Sequence, residues 1–517
     1  MANQGVNIGQ KIWSMADVLR DAGVGADAYL DQITLLLFVK MVNEQASLPK
    51  AFRQNTDWGK IELPDGYTWN KLVSLKGEDL LTYYSEMLKT FGNPNKTKGT
   101  LLEIYRGAEN KIRYASLLES VIKKIDELQW SALGVDVKGE IYESLLQRNG
   151  QDTKSGAGQY FTPRPLISTI VKCVNPQPDK KIADPCCGTG GFIITANRYI
   201  QENNKKLTDK QKQYLQCEAF SGGELVPDTY RLCLMNMILH GIGKVDSEPT
   251  IKNQDSLANQ PSTKVDYVLT NPPFGIKTAK KVEKTVKNKK TGEEETRIEG
   301  EKDYYVRDDF FATTSNKQFN FVMHIMSMLK VGGTAGIVLP DNVLSSGTDK
   351  AGTEIRRKLL KEYDLHTILR LPTGIFYAQG VKANVVFFER RPASNTVQTK
   401  EVWVYDYRTN IHHTLKQNPM KEEHLKEFVE CYNPKNRHER KELYNVETAP
   451  EARWRRFTYE EIEKRNDFDL DLKWLSTDSD FDESLTMSEV IQGMDNDKAI
   501  IVDSVDKIKS LLGDLLN

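Results

Sequence analysis

Four consecutive residues, Asn271-Pro272-Pro273-Phe274, carry the clearest chemistry in the sequence. They follow the apolar run Val265 to Thr270, which reads as a strand, so they fall at a carboxyl strand end, where open α/β sheets place their ligands. Two prolines fix φ and remove two backbone donors, which leaves the loop carbonyls turned outward with no N–H competing beside them. The Asn271 side-chain oxygen and the Pro272 carbonyl can then both accept from one exocyclic amino group, freeing its lone pair to face an electrophile. Phe274 adds an aromatic face, and stacking a base on such a face is worth about 1–3 kcal/mol.

A second element is Ala183-Asp184-Pro185-Cys186-Cys187-Gly188-Thr189-Gly190-Gly191-Phe192, between a predicted strand and a predicted helix. Its glycines permit a tight turn and close backbone approach, and the helix start offers unpaired N–H groups to a nucleotide or another adenosine cofactor. The loop lacks the Gly-Lys-Ser/Thr ending of a phosphate loop, which disfavours nucleoside triphosphate hydrolysis. Further on, Glu224 stands at the expected tip of a second strand, where a carboxylate can accept both hydroxyls of a ribose. Gly222-Gly223 blur that strand end, so Glu218 is a second candidate for the same carboxylate.

These residues need a scaffold, and the pattern from residue 151 to about 410 supplies one. β-rich runs at Lys181–Asp184, Val265–Thr270, Thr334–Leu339, His366–Leu371, Ala383–Glu389 and Glu401–Tyr405 alternate with helical patterns at Gly191–Gln201, Pro227–His240 and Gln318–Lys330. Such alternation predicts an α/β domain with a doubly wound sheet. Residues 1–150 show apolar spacing of a helical N-terminal domain (Ile33, Leu36, Leu37, Met41), read as a packing and docking unit. Residues 411–517 read as a helical C-terminal segment for subunit docking. It ends in an amphipathic stretch, Ala499–Leu516, that suits either packing on its own domain or docking to another subunit. Lys277–Lys302 is nearly devoid of apolar residues and is expected to be a mobile surface loop whose lysines could meet phosphate.

Composition narrows the class. The 517 residues leave room for about three domains. No run of eighteen apolar residues occurs, so no spanning helix or signal peptide is expected and the chain reads as cytoplasmic, with no membrane association. Six cysteines without a CxxC pair predict reduced thiols and no metal site. A net charge of −1 gives no overall attraction to polyphosphate, so a nucleic-acid function needs local basic patches or a partner that supplies them.

Taken in order, Phe161-Thr162-Pro163, Asp184 to Phe192, Glu224, Asp255 and Asn271 to Phe274 resemble an amino-methylating, S-adenosyl-L-methionine-dependent DNA methyltransferase of the gamma motif order. More narrowly, the chain is similar to the modification subunit of type I restriction-modification systems. Trp13–Arg20, Asp31–Lys40, Tyr230–Gly241, Val331–Asn342, Leu371–Phe376 and Ile462–Leu475 extend the resemblance over most of the sequence.

The resemblance implies a doubly wound methyltransferase fold and a role for each matching residue. Asp184 and the backbone of Gly188, Thr189, Gly190 and Gly191, with Phe161, Thr162 and Phe192, would hold the methionine side of S-adenosyl-L-methionine. Glu224 would bind its ribose and Asp255 its adenine amino group, while Asn271, Pro272, Pro273 and Phe274 would take a target adenine flipped from double-stranded DNA. Asn271 in place of Ser favours adenine over the cytosine amino group, and Cys186, lying in the cofactor loop, is read as structural. The resemblance also implies a separate specificity subunit, two copies of this chain per specificity subunit, and a restriction (nuclease or translocase) subunit as a further partner. Two rival readings are a methyltransferase acting on a protein glutamine amide and a silent assembly subunit.

Overall fold

The computed structural model describes residues 14, 16–20, 23–24, 26–47, 63–127, 139, 142, 162–274, 279–287, 294–302, 305–347, 350–376, 381–414 and 418–476. The described N-terminal part is helical: α1 (Ala26–Ser47), α2 (Trp69–Ser74), α3 (Gly77–Phe91), α4 (Gly99–Tyr105) and α5 (Ala115–Asp126). On α3 the buried side chains are Leu80, Tyr84, Met87, Leu88 and Phe91, and on α5 they are Leu118, Val121, Ile122 and Ile125. That spacing of three and four gives each helix one apolar stripe, and the stripes meet in one core. Thr68 caps α2 by accepting from the Lys71 N–H.

The remainder is built on β1 (Ile182–Asp184), β2 (Phe220–Glu224), β3 (Ile251–Asn253), β4 (Val265–Thr270), β5 (Ala279–Lys287), β6 (Glu294–Lys302), β7 (Leu329–Pro340), β8 (Tyr363–Leu371), β9 (Ala383–Arg390), β10 (Glu401–Asp406) and β11 (Trp454–Thr458). Nine of these form one sheet in the order β11-β10-β8-β9-β7-β4-β1-β2-β3. From β3 to β7 all neighbours are parallel; β9 runs antiparallel between β7 and β8, and β10 is again parallel to β8. The carboxyl ends of β1, β2, β4, β8 and β10 therefore share one edge.

Among the described residues the further α-helices are α6 (Arg164–Val174), α7 (Gly191–Asn203), α8 (Asp209–Cys217), α9 (Pro227–Leu239), α10 (Lys317–Met328), α11 (Asp341–Leu344), α12 (Lys350–Lys361), α13 (Lys426–Tyr432) and α14 (Tyr459–Glu463). Successive strand residues point to opposite sheet faces. Accordingly Ile182, Leu269, Val338, Leu369 and Val385 join one apolar cluster with α6, α7 and α9. Ala183, Val268, Ile337, Ile368 and Val386 join another with α10, α12 and α14. Helices on both faces make the sheet doubly wound, as expected.

Three features differ from, or add to, the sequence reading. Residues 279–287 and 294–302, expected in a mobile loop, are the two antiparallel strands β5 and β6, which pair with each other only among the described residues. The backbone register places Lys280 opposite Glu301 and Lys287 opposite Glu294. The C-terminal segment contains α13 and α14 but also β11, which pairs antiparallel with β10 and so extends the sheet. The amphipathic stretch 499–516 lies outside the described residues. Finally, α9 is joined to the N-terminal helices through Arg231, whose buried guanidinium pairs with Asp31 and donates to the Ile104 carbonyl at 2.6 Å. Among the described residues no helix is long and apolar enough to cross a membrane.

Candidate functional site

The site is assembled from the loops at the carboxyl strand edge. Asp184 ends β1 and is almost fully buried, 1% exposed. Its Oδ1 accepts from the Thr270 hydroxyl at 2.6 Å and the Cys186 N–H at 3.0 Å, while Oδ2 has no partner. Burial pushes this carboxyl up to about 7, against the pull of those two hydrogen bonds and with a further push from Glu224. A buried anion with one open oxygen is suited to a cationic ligand.

The turn beyond Asp184 is made possible by Gly188 and Gly190, at φ 53° and 85°, the left-handed region that glycine enters without strain. Gly190 caps α7, and the Thr189 carbonyl is held by the buried Asn236 amide of α9 at 2.9 Å. Gly191 lies under the Arg164 side chain, where an added Cβ would come within 2.6 Å. Phe192 is buried in the core beside Ile193 and Ile194, so it packs α7 against the sheet.

β2 passes so near β1 that a Cβ on Gly222 would lie 2.1 Å from the Asp184 carbonyl oxygen. The glycine pair is thus part of the strand, and Glu224 is its last residue. The Glu224 carboxylate accepts from Gly188 N–H at 3.0 Å and Val226 N–H at 2.8 Å; burial raises its pKa, and these bonds oppose that. Glu218, the alternative, is exposed at the C-terminus of α8, at the opposite end of β2.

Asp255 lies on the turn after β3. Its Oδ1 accepts from Leu257 N–H at 2.9 Å and its Oδ2 from the Tyr305 hydroxyl at 2.8 Å. Gln254 N–H donates to the Glu224 carbonyl at 3.1 Å and Ser256 to the Pro185 carbonyl at 2.7 Å. The three carboxylate-bearing loops are therefore tied to one another.

The other half of the site follows β4. Asn271 is 8% exposed; its amide nitrogen donates to the Thr162 hydroxyl at 2.8 Å, and its Oδ1 is buried without a partner. Pro272 is buried, and Pro273 and Phe274 are half-buried. The Phe274 carbonyl accepts from the Gln318 amide at 2.8 Å, and Gln318 in turn accepts from the Asn342 amide at 2.6 Å. The Phe274 ring meets Phe376 edge to face, with centroids 5.3 Å apart at 89°. Phe161 lies outside the described residues.

The structure thus brings together Thr162, Asp184, Gly188 to Gly191, Glu224, Asp255 and Asn271 to Phe274. Sequence reasoning gave no role to Phe376, Gln318 or Tyr305. Phe376 had one signal, its place in the matching stretch Leu371–Phe376; the other two come from separate elements with no local motif.

Two orphaned buried acceptors, Asp184 Oδ2 and Asn271 Oδ1, are each of a kind that costs about 1–3 kcal/mol when left unpaired. Donors from a ligand would offset that cost. One buried acid, one carboxylate beside a glycine turn and one carboxylate on the next loop fit a cationic adenosine cofactor such as S-adenosyl-L-methionine.

Comparison with known proteins agrees with the geometry. The family model described as N-6 DNA Methylase matches residues 134–483, and that of the HsdM N-terminal domain matches residues 8–125. The chain is 37% identical over 516 residues to the type I restriction enzyme StySJI methylase subunit of Salmonella typhimurium, covering 93% of this chain and 90% of that one. The crystal structure of the type I restriction enzyme EcoKI M protein is similar at 32% identity and a TM-score of 0.51, over 96% of both chains. A chain from a structural study of assembly and conformational transition in a type I system shares the fold, with a TM-score of 0.70, 24% identity and 98% coverage of both.

Proposed function

The chain belongs to the N-6 DNA methylase family, among the methylase subunits of type I restriction enzymes, and we propose that it methylates the N6 amino group of an adenine flipped out of double-stranded DNA, using S-adenosyl-L-methionine. The observation that carries this reading is Asn271. Its amide nitrogen is engaged by Thr162, and its oxygen is left buried and open.

When bound, the cofactor supplies an electrophilic methyl group. Asp184 offers its open oxygen to the cationic methionine side, Glu224 accepts the ribose hydroxyls and Asp255 accepts the cofactor's adenine amino group. Asn271 Oδ1 and the Pro272 carbonyl accept hydrogen bonds from the two N–H groups of the target amino group, which draws its lone pair out of conjugation with the ring. Phe274 offers its face to the target base, and the buried Phe376 ring, perpendicular to it, holds that face in place. Unpairing and flipping that base costs a few kcal/mol, offset by stacking and these hydrogen bonds. The rate enhancement then comes from positioning and a preorganised polar site, without a covalent enzyme intermediate.

A net charge of −1 supports delegating sequence recognition to a separate specificity subunit; two copies of this chain per specificity subunit and a restriction subunit as a further partner are proposed on the family likeness alone. The test is transfer of labelled methyl groups to a duplex oligonucleotide, with and without the specificity subunit. Incorporation is expected only in its presence, and Asn271→Ala is expected to stop transfer while cofactor still binds. Equal loss of transfer and binding would count against the assignment.

A further inference from the structure

The return of the β5–β6 hairpin is fixed to the cofactor side of the site, although the hairpin leaves the chain just after the target side, at Phe274. Two side chains make that attachment. The Tyr305 hydroxyl donates to Asp255 Oδ2 at 2.8 Å, and Arg307 donates to the Leu257 carbonyl at 3.2 Å. Arg307 is itself anchored: it forms a two-bond pair with Asp309 at 2.6 and 2.9 Å, lies 3.0 Å from His324 Nδ1, and sits over the Phe310 ring at 4.1 Å. The segment that carries Tyr305 is therefore held from below, and its hydroxyl is delivered to Asp255 by a fixed support.

For Asp255 the consequence is orientation. Leu257 N–H holds one carboxylate oxygen and Tyr305 the other, so the plane of the group is set from both sides. A carboxylate oxygen accepts more than one hydrogen bond, so each keeps acceptor capacity for an incoming amino group. Without the hydroxyl, the carboxylate would be held by the Leu257 bond alone and could turn its second oxygen toward solvent.

We propose that Tyr305 is a positioning residue for recognition of the cofactor's base, its hydroxyl presetting Asp255 to accept the 6-amino group of adenine and to reject a 6-oxo purine. The proposal rests on the reading that Asp255 meets that amino group. It also assigns the root of the hairpin a part in cofactor selectivity.

The experiment is calorimetric titration of the full chain with S-adenosyl-L-homocysteine and S-inosyl-L-homocysteine, which differ in the 6-amino or 6-oxo group and in the N1 proton that accompanies the oxo form. Because both ligands are titrated into the same preparation, any misfolded fraction cancels in the ratio of affinities. Wild type is expected to prefer the adenosyl form on the order of a hundredfold, the scale of a hydrogen bond to a charged group. Tyr305→Phe should reduce that preference to about tenfold through weaker adenosyl binding, with inosyl binding unchanged. Asp255→Asn, which supplies an amide donor, should shift the preference toward the inosyl form. If Tyr305→Phe keeps the wild-type ratio while Asp255→Asn changes it, the role of Tyr305 is overturned and the reading of Asp255 stands. If wild type does not discriminate, or Asp255→Asn leaves the ratio unchanged, the reading of Asp255 falls and the proposal falls with it.

Discussion

The two halves of the strand edge are built on opposite principles. Toward β1, β2 and β3 the functional groups are carboxylates, Asp184, Glu224 and Asp255, and each accepts from at least one N–H of its own or a neighbouring loop, with the Thr270 and Tyr305 hydroxyls as second donors to Asp184 and Asp255. Toward β4 and β8 the groups are an amide and two aromatic rings, positioned by side chains from elements far away in sequence: Thr162 for Asn271, Gln318 and Asn342 for the Phe274 carbonyl, Phe376 for the Phe274 ring. A half made of pinned anions suits a cation-bearing ligand that must bind before reaction. The half made of open acceptors and rings suits a neutral base whose amino group must be reshaped during it.

If that division is right, damage to one half should spare the other. The largest effect is expected for Asn271→Ala, with methyl transfer down at least ~10³-fold and cofactor affinity within about twofold of wild type, measured by label transfer and calorimetry. Phe376→Ala should lower kcat/KM for DNA by about ten- to a hundredfold by loosening the Phe274 ring on which the base stacks, again without weakening cofactor binding. Phe376→Leu, which keeps the core filled, separates that effect from instability.

On the cofactor side, Asp184→Asn should weaken cofactor binding by about tenfold at pH 8, the scale of one hydrogen bond to a charged group. Wild-type binding should tighten as pH rises through about 7, because a protonated Asp184 must lose its proton to meet a cation, and the variant should lack this slope. Stability should respond with the opposite sign. A folded-state pKa raised from 3.8 to about 7 means that the folded protein holds the extra proton between those values, so the contribution present below 3.8 is lost as pH rises through about 7. Asp184→Asn should therefore raise the Tm of the ligand-free protein more at pH 8 than at pH 4. The smallest effect belongs to Glu218→Ala, expected to leave cofactor affinity within about twofold, whereas Glu224→Ala should lower it severalfold. A reversal of those two outcomes would move the ribose site away from the Gly188 turn.

The same contrast explains what could be read from the sequence. The cofactor side announces itself locally, because a carboxylate on a tight turn demands glycines beside it: Gly188 and Gly190 need positive φ, and Gly222 must admit the Asp184 carbonyl. β4 coincides with its sequence reading because Val265, Tyr267, Val268 and Leu269 make a short, largely apolar run that Asn271 and two prolines then stop. The target side announces only its tetrapeptide. Phe376 lies about a hundred residues further on and Gln318 on a different helix, and no spacing rule links either to Asn271.

Several elements were invisible for related reasons. β3 is three residues long with one of them buried, and α8 buries only Leu215. β2 is expected from Glu224 at its tip, and only its end is blurred, because two glycines weaken the strand signal there. β5 and β6 contain few apolar residues, so a reading based on burial predicts a loop. β11 stands alone in a charged, helix-rich stretch and is a strand only because the edge of β10 accepts it.

The most direct test of the central claim is modified-base sequencing of DNA from cells that carry this chain with its specificity subunit, compared with cells carrying Asn271→Ala. The account predicts N6-methyladenine at a single two-part sequence in the first and its loss in the second. An unchanged methylation pattern, with both proteins expressed and bound to cofactor, would contradict it.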